Sequence, residues 1–381
     1  MSETPFYFCS PEGITLCRQI LTQYLPFCPH DYQLEGTAML LDEQDFIAIS
    51  ATGSGKTGYI YMSLLIVKAL KKDPTLCPGA KFPDDPVTLV ILPTTALEET
   101  QPDLKCLGEA DEAGKHIWQE MLVTPGFESL VKSKKFQAQL LAIGIDKVHL
   151  LASWGKDFRP KFRQIAFIRS QFRRRVPLFG MTATLRKGLP MQLVLDLLGF
   201  HEGNFHLLRR SNACPDIQII YRTLETSLGK SFPQLDWILE ESGKVLIFCP
   251  TIHHGFRLAV YFWHIDPRGA VLKKNIHLFN SLNSASYNTE TLKLLEGDST
   301  SRITIATDKL SVGVDVSDFQ LVVILDPKDL DDLWQKAGRV GRDQAKIKNA
   351  HTVIYFPSAK LSMQEWRTRV TGHSLGAPHN I

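Results

Sequence analysis

Residues 46–60 read FIAISATGSGKTGYI. The four apolar residues at the start predict a short buried strand, and a helical pattern over residues 58–71 follows the glycine-rich turn. The turn matches the pattern GxxxxGK[ST], except that Ser50 stands at the first glycine. A strand, a glycine-rich turn and a helix in this order indicate a phosphate-binding loop.

The chemistry of such a loop explains its residue types. Glycines let backbone N–H groups crowd around a β-phosphate, and the following helix N-terminus favours the anion. Lys56 would supply a charge for the β- and γ-phosphates, and the Thr57 hydroxyl would bind Mg²⁺. The expected cofactors are therefore ATP and Mg²⁺, and a glycine- and serine-rich turn without a ligand is the alternative. The candidate nucleotide-binding residues of the loop are Thr52, Gly53, Ser54, Gly55, Lys56 and Thr57.

Short apolar runs alternate with helical patterns along the rest of the chain. The predicted strands are residues 46–49, 87–92, 140–145, 177–180, 217–221, 245–249, 276–279, 303–306, 321–325 and 352–356. The predicted helices include residues 58–71, 191–198, 254–264 and 330–337. Apolar runs without polar alternation suit strands buried on both faces, which predicts α/β domains with mostly parallel sheets flanked by helices.

The chain has too many predicted strands for one compact sheet, and its 381 residues suffice for two domains. The polar, proline-containing stretch RRSNACPD at residues 209–216 is the predicted linker. The predicted organisation is an N-terminal segment (1–25), a first lobe (26–208), the linker (209–216), a second lobe (217–357) and a C-terminal tail (358–381).

Composition limits the class of protein. No run of 18 apolar residues and no signal-peptide pattern occurs, so we expect no membrane partner and a nuclear or otherwise cytoplasmic location. The seven cysteines lack CxxC spacing, which argues against a zinc cluster. The net charge is only +3, but residues 156–187 contain ten Lys or Arg and one acid, Asp157. Such a run is either a solvated surface or a nucleic-acid interface.

The glycine-rich turn resembles motif I of superfamily 2 helicases, and further motifs follow in that order over residues 26–357. Gln33 resembles the motif 0 glutamine that reads the adenine edge. Residues 93–97 (PTTAL) resemble motif Ia, residues 123–126 (VTPG) motif Ib, and residues 182–184 (TAT) motif III. In the second half, residues 244–250 resemble motif IV, residues 306–308 with 313–315 motif V, and residues 335–343 (QKAGRVGRD) motif VI.

Residues 153–162 (SWGKDFRPKF) make the RecQ type of DNA helicase the closest match. Trp154 and Phe158 offer faces for base stacking, and Lys156 and Arg159 offer phosphate contacts. The resemblance implies two RecA-like P-loop NTPase lobes, an ATP-dependent DNA helicase of 3′–5′ polarity, and single-stranded or forked DNA as partner. The nucleic-acid contacts that it implies are Pro93, Thr94, Thr124, Pro125, Trp154, Lys156, Phe158, Arg159, Thr251 and Thr307.

The resemblance also implies that Gly313 and Asp315 bind nucleotide. Arg339 and Arg342, one helix turn apart, would both reach a γ-phosphate that is held by Lys56 on the other lobe. Lobe closure would then depend on ATP.

Motif II, expected as Asp-Glu-Ala-His, reads Asp146-Lys147-Val148-His149. Asp146 can still hold Mg²⁺ through water, and His149 can still couple to motif III. Lys147 replaces the glutamate that orients and deprotonates the attacking water, so hydrolysis is expected to be impaired while nucleotide binding persists. The alternative is that a nearby acid, Asp157, serves as the base.

Only 24 residues follow Pro357, and none is cysteine. The zinc-binding and winged-helix modules of RecQ enzymes do not fit there, so we expect weak duplex separation unless protein partners supply them. A monomer is expected because no heptad pattern occurs. Three hypotheses remain: a RecQ-type DNA helicase, a non-catalytic ATP-gated clamp on nucleic acid, and an RNA helicase of the DEAD-box kind.

Overall fold

The computed structural model describes residues 6–92, 114–118, 122, 124–154, 168–211, 217–224, 229, 231–265, 275–296, 302–311, 319–341, 347 and 349–357. The chain divides into two compact units, Met1–Asn212 and Ala213–Ile381. The division falls within the stretch 209–216 that the sequence suggests as a linker.

The first unit is a six-stranded parallel sheet with the strand order β3-β2-β4-β5-β1-β6. Its strands are β1 (Phe46–Ile49), β2 (Val87–Leu92), β3 (Gly114–Trp118), β4 (Leu140–Asp146), β5 (Leu178–Thr182) and β6 (His206–Arg209). Its helices are α1 (Pro11–Tyr24), α2 (Asp31–Leu41), α3 (Gly58–Lys72), α4 (Pro125–Lys132), α5 (Lys134–Gln139), α6 (His149–Trp154) and α7 (Leu189–Leu198), with 3₁₀ turns at Pro74–Leu76 and Arg169–Gln171.

The second unit is also a six-stranded parallel sheet, with the order β7-β12-β11-β8-β10-β9. Its strands are β7 (Gln218–Leu224), β8 (Val245–Phe248), β9 (Ile276–Phe279), β10 (Ile303–Ala306), β11 (Leu321–Leu325) and β12 (His351–Pro357). Its helices are α8 (Ile252–Ile265), α9 (Ala285–Glu296), α10 (Asp308–Ser311) and α11 (Leu330–Ala337), with a 3₁₀ helix at Pro233–Glu240.

Both sheets are covered on their two faces. Ile47 and Ile49 of β1 pack into one hydrophobic cluster, whereas the alternate residues Phe46 and Ala48 pack into another. In the second unit, Val245 and Ile247 of β8 are separated from Leu246 and Phe248 in the same way. Uninterrupted apolar strands therefore occur because each residue, whichever face it points to, meets a layer of helices.

The predicted fold class, α/β with two lobes of parallel strands and flanking helices, is confirmed. Strands β1, β2, β9, β10 and β11 have the predicted bounds, and the other predicted strands differ by one to three residues. Two strands were not predicted, β3 and β6, and both lie at sheet edges. Helices α1 and α2 cover residues 11–24 and 31–41, for which the sequence pattern predicts no helix.

The parallel arrangement places the carboxyl ends of neighbouring strands at one edge of each sheet. In the first unit β5 lies between β1 and β4, and Met181 is aligned with both Ala48 and Asp146. The phosphate-binding loop after β1 and the Asp146–His149 segment after β4 therefore lie at the same edge.

None of the helices within the described ranges is long and apolar enough to cross a membrane.

Candidate nucleotide-binding site and nucleic-acid interface

The phosphate-binding loop closes around its own lysine. Gly53 and Gly55 adopt φ angles of 80° and 75°, a conformation that glycine adopts at little cost. These turns bring two carbonyl groups to the Lys56 ammonium, whose Nζ donates to the oxygens of Ser50 (2.8 Å) and Ala51 (2.6 Å). A phosphate would compete with these carbonyls for the same charge, so nucleotide binding requires the Lys56 side chain to change partners.

Ser50, the departure from the glycine pattern, is accommodated without strain. It is not among the described residues with positive φ, so this position does not need a glycine. Its backbone N–H donates to the Thr182 carbonyl (3.2 Å) at the end of β5, and its Oγ lies 2.7 Å from Ser54 Oγ. The serine hydroxyl therefore bonds across the loop.

The start of α2 holds the loop from outside. Gln33 is 2% exposed, and its Oε1 accepts from His30 N (2.9 Å) while its Nε2 donates to the Gly55 carbonyl (2.8 Å). The Tyr32 hydroxyl donates to the Ser54 carbonyl. The proposed adenine contact of Gln33 stays a prediction, and it must use the second N–H of this amide or displace one of these partners.

The turn after β4 has an unusual backbone at Lys147. Its φ angle is 51°, in the left-handed region that side chains with a Cβ seldom adopt. The Lys147 N–H donates to Asp146 Oδ1 (2.8 Å), and Val148 N–H donates to the Met181 carbonyl (3.1 Å). These two bonds fix the direction in which Lys147 leaves the sheet edge.

His149 joins this turn to residues 182–184. Its Nδ1 lies 2.5 Å from Thr182 Oγ1. That hydroxyl donates to the Thr184 carbonyl (3.0 Å), so the imidazole N–H is the donor to Thr182. Burial, together with the charges of Lys147 and Lys56, lowers the pKa of His149 to about 3. His149 is therefore neutral at pH 7, in contact with the segment to which the sequence predicted that it couples.

The Mg²⁺ ligands expected from the sequence are Thr57 and Asp146. Within the described ranges no group of three His, Cys, Asp or Glu side chains could hold a metal ion. Asp146 Oδ1 accepts the Lys147 N–H, and the residue after this carboxylate is a lysine where the motif has the water-activating glutamate. One hydroxyl, one carboxylate and the phosphates of a nucleotide would be an ordinary ligand set for Mg²⁺, but the positive charge of Lys147 beside Asp146 opposes a divalent cation there.

In the second unit a buried lysine organises α11. Lys336 has a side chain 3% exposed, and its Nζ lies 3.0 Å from Asp308 Oδ1 and 2.7 Å from Asp332 Oδ1. It also lies 5.5 Å from the ring centre of Phe248. The Lys336 carbonyl accepts the N–H of Arg339 (3.1 Å), so the candidate arginine follows directly from this anchored turn.

Three candidate nucleic-acid contacts share one geometry, because each threonine directly precedes a helix. Thr124 caps α4 by accepting from Phe127 N (3.3 Å), with Pro125 as the first helical residue. Thr251 precedes α8, and Thr307 precedes α10. The last two lie at the same edge of the second sheet, where Ala306 is aligned with Phe248. Backbone N–H groups at helix starts suit contacts with phosphate oxygens.

The amino-acid sequence of this chain is similar to sequences of known helicases. Residues 230–344 match the family model of the helicase conserved C-terminal domain. A putative ATP-dependent DNA helicase Q1 of Caenorhabditis briggsae is 24% identical over 85% of this chain and 52% of that protein. ATP-dependent DNA helicase RecQ of Haemophilus influenzae is 25% identical over 84% of this chain and 49% of that protein. The resemblance to RecQ-type helicases is confirmed. The chain spans about half the length of these relatives.

Solved structures show the same RecA-like fold. The DUF1998 helicase MrfA, bound to DNA and AMPPNP, has a TM-score of 0.69 at 15% identity over 98% of this chain and 54% of that chain. Mss116p, bound to single-stranded RNA and AMP-PNP, has a TM-score of 0.64 at 16% identity over 94% of this chain and 76% of that chain. One neighbour holds DNA and the other RNA, so this likeness does not choose between the two nucleic acids.

Part of the RecQ-like motif set lies outside the described residues. Trp154 is the last residue of α6, but its side chain belongs to this part. The other candidates outside the described residues are Pro93, Thr94, Lys156, Phe158, Arg159, Gly313, Asp315 and Arg342. The contacts of Tyr32 and Lys336 do not follow from the sequence pattern. Each residue contacts a partner that is distant in sequence, so no local motif predicts the contact.

Proposed function

We propose that this chain is the ATP-binding core of a RecQ-type helicase, that it binds single-stranded or forked DNA, and that Lys147 makes its ATP hydrolysis slow. The proposal rests on one observation: the phosphate loop, Asp146 and His149 share a sheet edge, and Lys147 stands between the last two. Binding groups are thus retained, while the position of the general base carries a cation.

Among the described residues, the side chains beside Lys147 do not replace the missing base. Asp157, the alternative base, lies outside the described residues. A histidine with a pKa of about 3 is a weak proton acceptor at pH 7, so His149 is poorly suited to activate water. Asp146, the carboxylate at this edge, accepts the Lys147 N–H and is the residue expected beside the metal. Loss of a positioned general base removes on the order of 10²- to 10⁴-fold in rate.

DNA is favoured over RNA as the partner. The support comes from the aromatic and basic residues 153–162, which resemble a segment of DNA-directed helicases, and from the names of the sequence relatives. The 3′–5′ polarity is part of the same proposal and rests on the resemblance alone. Stacking on Trp154 and Phe158 would not by itself discriminate DNA from RNA, because all bases present a π-face.

A second candidate function is a non-catalytic ATP-gated clamp that binds single strands and regulates other factors. Lys147 specifically favours it, because an ammonium group retains affinity for phosphate while it removes water activation. The helicase and clamp hypotheses differ in turnover rather than in binding.

Single-turnover ATP hydrolysis tests the proposal, measured without nucleic acid, with single-stranded DNA and with RNA of the same sequence. We expect slow hydrolysis, stimulated by DNA more than by RNA, and a rise of at least about tenfold in Lys147→Glu. Lys135→Glu, an exposed lysine on α5, is the matched charge control and should leave the rate unchanged. Binding without any turnover would select the clamp, and stimulation by RNA alone would select an RNA helicase. An ordinary helicase rate in the natural chain would contradict the role given to Lys147.

A further inference from the structure

We propose that Lys147 binds the triphosphate directly and substitutes for Mg²⁺, so that the first unit binds ATP without a divalent cation. This inference rests on the proposed nucleotide-binding function. It assigns the Asp146–His149 turn a binding role in place of the catalytic role that its position in the motif order suggests.

The strand register brings Lys147 towards the phosphate loop. Ala48, Met181 and Asp146 are aligned across three adjacent strands. Neighbouring strands lie about 4.8 Å apart, so the ends of β1 and β4 are separated by roughly 10 Å. Lys147 follows β4 at this level and Ser50 follows β1, and the four-carbon stem of lysine can bridge part of the gap.

The charges of Lys147 and Lys56 act on the same residue, His149. The ammonium charges of Lys147 and Lys56 both act on the His149 imidazole, and both disfavour its protonation. Both lysines therefore act electrostatically on one neutral histidine, and Asp146 is the carboxylate of the same turn. An ammonium group is a common point-charge ligand for phosphate. A triphosphate would be attracted by both lysines, whereas Mg²⁺ would be repelled by them.

The backbone at Lys147 is consistent with a functional position. A left-handed conformation costs a residue with a Cβ about 1 kcal/mol or more. The cost is partly offset by the hydrogen bond from Lys147 N–H to Asp146 Oδ1. The bond uses one acceptor site of the Asp146 carboxylate, and the same turn puts a cationic residue directly after the carboxylate that would hold Mg²⁺.

The test is the equilibrium dissociation constant for ATP, measured with the full chain by isothermal titration calorimetry in Mg²⁺ and in EDTA. We expect the natural chain to bind ATP with constants that differ by less than about threefold between the two conditions. In Lys147→Glu, binding in EDTA should weaken by at least about tenfold and recover when Mg²⁺ is added. Lys135→Glu carries the same change of charge and should behave like the natural chain.

A second variant separates loss of the Lys147 charge from misfolding. Lys147→Asn removes the charge but keeps a residue that tolerates the left-handed backbone, so its fold should be retained, which circular dichroism can check. It should lose binding in EDTA by a similar factor. Binding that needs Mg²⁺ in the natural chain, with no change in either variant, would overturn this inference and leave the proposed function intact. No ATP binding in either condition would overturn the proposed function itself.

Discussion

His149 shows how its surroundings set the charge of one residue at this edge. In the folded protein, burial first and then Lys147 and Lys56 lower its pKa to about 3 from an ordinary value of 6.5. Between these pH values the unfolded chain binds a proton and the folded chain does not. The stability of the first unit must therefore fall as the pH is lowered from 6.5 towards 3.

The size of this effect gives a measurable prediction. One pH unit corresponds to about 1.4 kcal/mol for one proton, so lowering the pH from 6.5 to 5 should cost about 2 kcal/mol of unfolding free energy. His149→Asn keeps a polar group near Thr182 but does not titrate, and it should lose less stability over this range. Urea unfolding at the two pH values measures the difference. Equal losses in both proteins would show that His149 is not buried in its neutral form.

The hydrogen-bond partners of Gln33 could not be predicted from its residue type. Its residue type suggests an adenine reader, because an amide both donates and accepts. The structure shows the same amide joining His30 to Gly55. A local pattern predicts which groups a side chain can bond, but the partner 22 positions along the chain depends on how α2 packs.

Asp45 ties several elements of the first sheet together. Its buried carboxylate accepts from Arg169 Nη2 (2.6 Å), Arg175 Nη2 (3.3 Å) and Leu178 N (2.8 Å), and its carbonyl accepts from His206 N (2.8 Å). One residue before β1 thereby holds the segment that leads into β5 and the start of β6.

Removing this carboxylate should destabilise the first unit strongly. Asp45→Ala leaves two guanidinium groups and a backbone N–H without their acceptor, a loss of about 3 kcal/mol in denaturant unfolding. The matched control is Asp84→Ala, because Asp84 also pairs with a basic residue, Lys71 (2.6 Å), but at the surface. The control should leave the unfolding midpoint almost unchanged. Similar losses of unfolding free energy in the two variants would show that burial does not strengthen the contribution of Asp45 to stability.

Lys336 joins several elements of the second unit, as Asp45 does in the first. Burial alone would raise the pKa of Asp308, but the charges of Lys336 and Lys328 lower it overall, so Asp308 stays ionised beside them. Lys336→Met would leave Asp308 and Asp332 facing each other without the buried cation. We expect a loss of about 3 kcal/mol in the unfolding free energy of the second unit.

Lys328→Met is the control for Lys336→Met. Lys328 also contacts Asp308, but 60% of its side chain is exposed, so water can replace it. Denaturant unfolding followed by circular dichroism compares the two variants. An equal loss of unfolding free energy in the two variants would show that the buried position of Lys336 between α10, α11 and β8 does not increase its contribution to stability.

The sequence pattern predicts all the central strands and the edge strands β7 and β9, but it does not predict the edge strands β3 and β6. β10 and β11 are short runs of β-branched and aliphatic residues, so their pattern gives both type and bounds. β6 (HLLR) and β3 (GKHIW) carry basic residues and are paired on one side only, which suits an edge but weakens the pattern. The Lys336–Asp308 contact joins residues 28 positions apart, and it follows from topology rather than from either motif.

The two units should behave as separate folding domains. Each described hydrophobic cluster lies within one unit: three belong to the first and two to the second. Both units have the size of ordinary domains. Fragments 1–212 and 213–381 should therefore each fold, with a cooperative unfolding transition in calorimetry. A fragment that stays unfolded would show that its core depends on the other unit.

The same fragments test whether both halves act on nucleotide. The first fragment contains Lys56 and Lys147 and should bind ATP alone. The full chain adds Arg339 and Arg342, which are expected to act on the γ-phosphate, and charge-assisted hydrogen bonds of that kind contribute about 1.5–3 kcal/mol. The full chain should thus bind ATP about tenfold or more tightly than fragment 1–212. Arg339→Ala in the full chain should remove part of the gain. Equal affinities of fragment and full chain would contradict a contact of the arginines that tightens ground-state binding, because a contact made only in the transition state raises the rate and not the affinity.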